Sequence, residues 1–213
     1  MGKVANVIGA SGLVGQQLIA QLLAHPEFDK VRSFARRPSG NMHPKLDEIV
    51  IDFDQPESWS AHVQGDVLFS SLGTTIKTAK TKENQYRVDF TYQFEFAKAA
   101  AENGVPAYIL VSSMGADAKS SVFYSKMKGE LEEEVAKLSF RKTIIARPSI
   151  LDGDRKEQRT GEKIGLVISR FLTRFILKQY LPTPVDVLAA KMINLSLDQK
   201  QGFRIIEGLE IFS

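Results

Sequence analysis

Short runs of β-branched and other apolar residues alternate with segments whose apolar positions recur every three or four residues. Residues 4–8 form an apolar strand, and Leu18, Ile19, Leu22 and Leu23 mark one face of a helix over 13–23. Further strands are predicted at 31–34, 49–53, 67–72, 107–113 and 141–146. Helices are predicted over 82–102, closed by Asn103-Gly104, and over 123–138. This alternation builds a parallel sheet covered by helices on both faces, and right-handed crossovers give the strand order 3-2-1-4-5-6. The expectation is one doubly wound α/β domain over residues 1–213. From Ser149 onward the pattern loosens into a polar stretch, a basic helix and a tail in which Ile205-Ile206 and Ile211-Phe212 supply a final edge strand. Residues 149–181 and 203–213 are expected to form a small C-terminal cap on the substrate side.

Composition narrows the function classes. Of the 213 residues, 43% are hydrophobic and 25% charged, which suits a globular domain. The net charge, 28 − 25 = +3, is too mild for a nucleic-acid footprint. With no cysteine, disulfides, thiolate nucleophiles and Cys-ligated zinc are excluded. His25, His43 and His62 do not stand at ligand spacing, so no metal site is expected. There is neither a window of 18 apolar residues nor a secretory leader pattern, so the expectation is a cytoplasmic protein without a transmembrane segment.

The chemistry begins where the first strand meets the first helix. Gly9-Ala10-Ser11-Gly12-Leu13-Val14-Gly15 places three glycines at that junction. A pyrophosphate held there needs backbone N–H groups pointing at it and no side chain in the way. The spacing is Gly-x-x-Gly-x-x-Gly rather than the more common Gly-x-Gly-x-x-Gly. At the end of the second strand, an acidic residue would bond the ribose 2′-hydroxyl of NAD. This chain has Ala35-Arg36-Arg37 instead, and two guanidiniums suit a 2′-phosphate, so the cofactor expected is NADP(H). Asp52 and Phe53 are expected to border the adenine, and Leu72, Gly73 and Thr74 the central phosphates and ribose.

Tyr124 and Lys128 are four residues apart and so share a helix face. A phenol is a poor acid–base catalyst at neutral pH, and a neighbouring ammonium favours its ionised form. Lys128 can also hold the cofactor ribose. Ser112 or Ser113, at the end of the fifth strand, supplies a hydroxyl to polarise a substrate carbonyl.

Taken together, the glycine turn, Ser112-Ser113, Tyr124/Lys128 and Arg147-Pro148 resemble the short-chain dehydrogenase/reductase superfamily. More narrowly, GASGLVG, ARR, SLGTT, SSMGADAKSSVFYSKMKGELE and RPSILDGDRKEQRTGE are similar to its atypical subgroup, which includes the NADPH-binding Tat-interacting protein. The resemblance implies a Rossmann fold holding NADPH, with Tyr124 as proton donor and acceptor and Lys128 as its partner. It also implies cofactor contacts from Ser11, Gly12, Leu13, Val14, Arg36, Arg37, Leu72, Gly73, Leu151 and Arg159. Where many of these enzymes carry Asn-Asn-Ala-Gly, this chain has Ser71-Leu72-Gly73-Thr74.

Residues 163–181 read as an amphipathic helix with Arg170, Arg174 and Lys178 at four-residue steps. Its apolar stripe suits packing on the domain or a lid, while its cations offer a surface to an acidic protein partner or a membrane interface. The acidic run Glu130, Glu132, Glu133, Glu134 reads as a solvated face. Two functions follow. One is an NADPH-dependent oxidoreductase acting on a small-molecule carbonyl or alcohol. The other is an NADPH-sensing regulatory protein with little or no turnover.

Overall fold

The computed structural model describes residues 2–153 and 181–213. The strands are β1 (Lys3–Ile8), β2 (Phe28–Ala35), β3 (Leu46–Val50), β4 (Val67–Ser70), β5 (Ala107–Val111), β6 (Lys142–Arg147), β7 (Leu151–Asp152), β8 (Thr183–Pro184) and β9 (Gly202–Glu207). The helices are α1 (Leu13–Ala24), α2 (Pro56–Trp59), α3 (Ile76–Ala79), α4 (Lys82–Tyr86), α5 (Tyr92–Glu102), α6 (Phe123–Val135) and α7 (Val185–Leu197). The main sheet is wholly parallel with the order β3-β2-β1-β4-β5-β6-β9. This is the doubly wound sheet expected, extended by a seventh strand.

Neighbouring residues on each central strand serve opposite faces, so β1, β4, β5 and β6 are buried almost throughout. Val7, Phe69, Ile109 and Ile144 pack with α1 and α7 on one side. Ile8, Leu68, Leu110 and Ile145 pack with α5 and α6 on the other, around Trp59 stacked on Phe96 at 3.9 Å. The two layers pack against the sheet, and the glycine turn, Ser112 and Ser113 lie at the C-terminal ends of its strands.

Four differences from the sequence reading have physical causes. The third strand is Leu46–Val50 rather than 49–53. It lies at the edge of the sheet and carries Asp47 and Glu48, which hide it from an apolar pattern. The helix expected over 82–102 is interrupted at Arg87–Thr91 by a π-turn, whose extra residue rotates the faces of α4 and α5 relative to one another. In the tail, Ile205-Ile206 lie in the expected edge strand, Gly202–Glu207 beside β6, whereas Ile211-Phe212 falls in a 3₁₀ turn against α7 rather than in a strand. Helix α7 has no counterpart among the predicted elements, although Val185, Leu188, Ala189, Met192 and Ile193 carry its buried face at helical spacing. Lys142 of β6 closes that helix, donating to Leu195 O at 2.9 Å, Asp198 O at 2.6 Å and Asp198 Oδ1 at 2.8 Å.

Candidate functional site

Gly9 adopts φ +82°, and a Cβ there would lie 2.5 Å from the Ser71 carbonyl and Leu72 N. The ends of β1 and β4 therefore meet backbone to backbone. A Cβ at Gly15 would lie 2.1 Å from Gly9 O, so the first turn of α1 lies directly against the turn before it. Gly12 N donates to Gly9 O at 2.9 Å and tightens the bend. Helix α1 has no side-chain cap and no acidic residue in its first turn. A helix start stripped of side chains and left positive by its peptide dipoles is shaped for an anion. Leu151 sits on the short β7–β8 pair, and a Cβ at Gly153 would come 3.6 Å from Leu13, which brings this ribbon to the start of α1.

Arg36 and Arg37 follow β2 in an exposed loop and make no hydrogen bond or ion pair among the described residues. Both guanidiniums are available. Of the two residues expected at the adenine, Phe53 is buried, its ring packed on Tyr92 at 5.2 Å and Phe96 at 5.5 Å. Asp52 is the exposed one, and it accepts from Asp54 N and Gln55 Nε2.

Tyr124 lies in the first turn of α6 and is 39% exposed. Lys128, one turn on, has a side chain only 3% exposed, with Nζ 6.0 Å from the Tyr124 ring centroid. Its ion-pair partner is a residue that the sequence pattern does not single out. Asp89, in the π-turn, is 2% exposed and places Oδ1 3.5 Å from Lys128 Nζ, while its Oδ2 accepts from Thr74 N at 2.8 Å. Burial pushes the Asp89 carboxyl above the ordinary carboxylate range, and the Lys128 charge and the Thr74 N–H pull against that rise. Gln93 Nε2 donates to Asp89 O at 2.7 Å and Gln93 Oε1 accepts from Ser70 Oγ at 2.7 Å, so the π-turn carbonyl is satisfied from within the core. The available signal is Gln85, Asp89 and Gln93, polar residues at four-residue steps on a helix that must bury that face.

The two candidate serines part company. Ser112 is buried and its hydroxyl donates to Glu132 Oε1. Arg147 donates to the same carboxylate from Nε at 3.0 Å and from Nη2 at 2.5 Å. Glu132 is therefore a buried hub, which corrects its reading as part of a solvated face. Ser113 is half-buried, and among the described residues its hydroxyl makes only a long 3.3 Å contact to Met114 O. Gly73 and Thr74 lie against Asp89, and Leu72 packs on the α5/α6 side of the core. Arg159 and residues 163–180 of the basic helix lie outside the described residues. A separate cavity of about 650 Å³ lies at α4, lined by Asp54, Lys82, Tyr86, Arg87 and Phe123, with no residue of the glycine turn in its wall.

A family model described as NAD(P)H-binding matches residues 9–173. The chain belongs to the NAD(P)H-binding family. Its fold is the Rossmann fold that the resemblance implied. The relatives include the "Protein fmp52-1, mitochondrial" of Aspergillus terreus, 35% identical over 95% of this chain and 90% of the relative. "Protein FMP52, mitochondrial" of Eremothecium gossypii is 34% identical over 98% and 96%. A short-chain dehydrogenase/reductase superfamily protein of Agrobacterium tumefaciens with bound NAD aligns with a TM-score of 0.72 at 18% identity, covering 96% of this chain and 77% of that one. The Bordetella bronchiseptica enzyme WbmH in complex with NAD⁺ aligns with a TM-score of 0.74 at 14% identity, covering 97% and 76%.

The names of these relatives overturn the cytoplasmic expectation and point to the mitochondrion. That expectation was drawn from signals the chain lacks, and such an argument does not choose among the remaining compartments. No helix among the described residues is long and apolar enough to cross a membrane.

Proposed function

We propose that this protein is an NADPH-dependent oxidoreductase that interconverts a carbonyl and an alcohol. The glycine turn fits the cofactor, because side chains at Gly9 and Gly15 would occupy the space where backbone meets backbone, and α1 begins uncapped. On this reading the N–H groups of Ser11 to Val14 hold the pyrophosphate, and Arg36 and Arg37 take the 2′-phosphate, which favours NADP(H) over NAD(H). Asp52, Leu72, Gly73, Thr74, Leu151 and Arg159 complete the contacts. When bound, the cofactor supplies or accepts a hydride.

The chain's own residues handle the proton. Tyr124 presents a partly exposed phenol that gives its proton to the carbonyl oxygen or takes it from the alcohol. Lys128 places its ammonium beneath the ring. Ser113, whose hydroxyl is held only loosely, donates to the substrate oxygen, whereas Ser112 is occupied by Glu132. The observation that carries this reading is the buried Lys128 ammonium placed against a phenol that remains open to solvent.

The test is NADPH consumption over a panel of aldehydes, ketones and quinones. Turnover that falls at least about a thousandfold in Tyr124→Phe, with NADPH affinity kept, supports the enzyme. Tight NADPH binding with no turnover on any panel member favours the cofactor-sensing alternative.

A further inference from the structure

Lys128 is buried to 3% exposure, and a buried ammonium without a counter-charge gives up its proton. A neutral amine does nothing for the phenol above it. The charge on Lys128 therefore has to be maintained from inside the core. Among the described residues, the groups facing the pair are few. Tyr124 is on the same helix, and Glu132, one turn further along α6, is taken by Arg147 of β6 and Ser112 at the end of β5. Glu130 is engaged by Tyr86 of α4 and by Lys126. From the loop after β4 the Thr74 N–H donates to Asp89, and Ser70 and Gln93 are neutral. That leaves Asp89.

We propose that Asp89 is a positioning residue that keeps Lys128 charged beneath Tyr124 and joins that charge to the loop at Thr74. The two carboxylate oxygens divide the work. Oδ1, at 3.5 Å, faces the ammonium, and Oδ2 fixes the Thr74 backbone, which the proposed function places beside the cofactor. The π-turn is what makes this possible. Its extra residue turns Asp89 into the core, and Gln93, anchored on Ser70, satisfies the carbonyl that the distorted ladder exposes. Three elements that are distant in sequence, namely the loop after β4, the π-turn and α6, thus meet at one carboxylate. This inference rests on Tyr124 being the proton carrier, and its test is chosen to be independent of turnover.

The experiment titrates Tyr124 in the full-length protein by ultraviolet tyrosinate absorbance, each chain being read against the same chain carrying Tyr124→Phe. Asp89→Asn keeps an acceptor for Thr74 N–H and removes the charge. With Lys128 discharged, the Tyr124 midpoint rises by about one pH unit, a tenfold change in proton affinity. Lys128→Met produces the same rise, and adding Asp89→Asn to it changes nothing further. A midpoint that stays or falls in Asp89→Asn overturns the proposal, as does an equal further rise in the Lys128→Met background.

If the Asn chain does not fold, the Asp89 carboxyl is titrated in the native chain by ¹³C resonance. A carboxylate at neutral pH supports the proposal, and a protonated carboxyl there overturns it. Should Tyr124→Phe leave turnover of the carbonyl panel intact, the functional reading fails, and the titration still decides separately whether Asp89 governs the charge on Lys128.

Discussion

The two halves of the site are built by opposite means. At the β1–α1 turn the protein removes side chains. Gly9 and Gly15 let backbone touch backbone, and α1 starts without a cap or an acidic residue. Around α6 it buries charge, with Lys128 against Asp89 and Arg147 against Glu132. On the proposed function the first half binds through a field fixed by the fold, and its tolerance is set by space. The second depends on pairs of ions that water no longer screens, so losing one member leaves the other stranded. Binding and chemistry here therefore fail in different ways and can be separated by substitution.

Gly15→Ala is the harshest way to break the first half, because the new methyl would fall 2.1 Å from Gly9 O, a backbone atom that cannot step aside. NADPH affinity measured by fluorescence should fall by at least about a hundredfold, the scale of losing several charge-assisted bonds to phosphate. In the second half, Glu132→Ala strands Arg147 and frees Ser112. Chemical denaturation should show a loss of about 3 kcal/mol, at the lower end for a broken buried pair because Arg147 keeps some solvent access and Glu207 at 3.7 Å. NADPH affinity, referred to the folded fraction, should change little.

Smaller effects sharpen the contrast. Arg36→Ala or Arg37→Ala should weaken NADPH by roughly tenfold each and leave NADH unchanged, by analogy with charge-assisted phosphate contacts. Calorimetry with both coenzymes reads this directly, and equal losses for the two would reject a 2′-phosphate role. The smallest effect concerns pH. Burial raises the Asp198 carboxyl, yet the hydrogen bond and charge of Lys142 outweigh it and hold the group below the ordinary carboxylate range. A carboxyl depressed on folding adds stability above its unfolded value, and that stability is lost as pH falls through the folded one. Thermal melts from neutral pH down through the carboxylate range should therefore drop less steeply in Asp198→Asn than in the native chain.

How much of this is legible in the sequence follows from the same contrast. Glycines at a strand–helix junction are explicit, because only their lack of a side chain allows the approach, and the turn lies where their spacing puts it. Tyr124 and Lys128 are visible as a pair one helical turn apart. Asp89 is less so: it shares a four-residue step with Gln85 and Gln93, but that step does not report the π-turn that brings its carboxylate to Lys128. Glu132 escapes for a related reason. It sits among Glu130, Glu133 and Glu134, and only the three-dimensional approach of Arg147 singles it out. The third strand starts three residues before its predicted position because Asp47 and Glu48 are tolerated at a sheet edge. The buried central strands β4 and β5, by contrast, start where the pattern places them and end two residues short of it.

The ribbon formed by β7 and β8 has a wider consequence. Leu151 pairs with Thr183 and Asp152 with Pro184, so two points far apart in sequence are stapled together beside the start of α1. Because that staple is made by backbone pairing, the side chains it carries can change during evolution without undoing it. A fold of this kind can vary what borders the glycine turn while its sheet stays as it is.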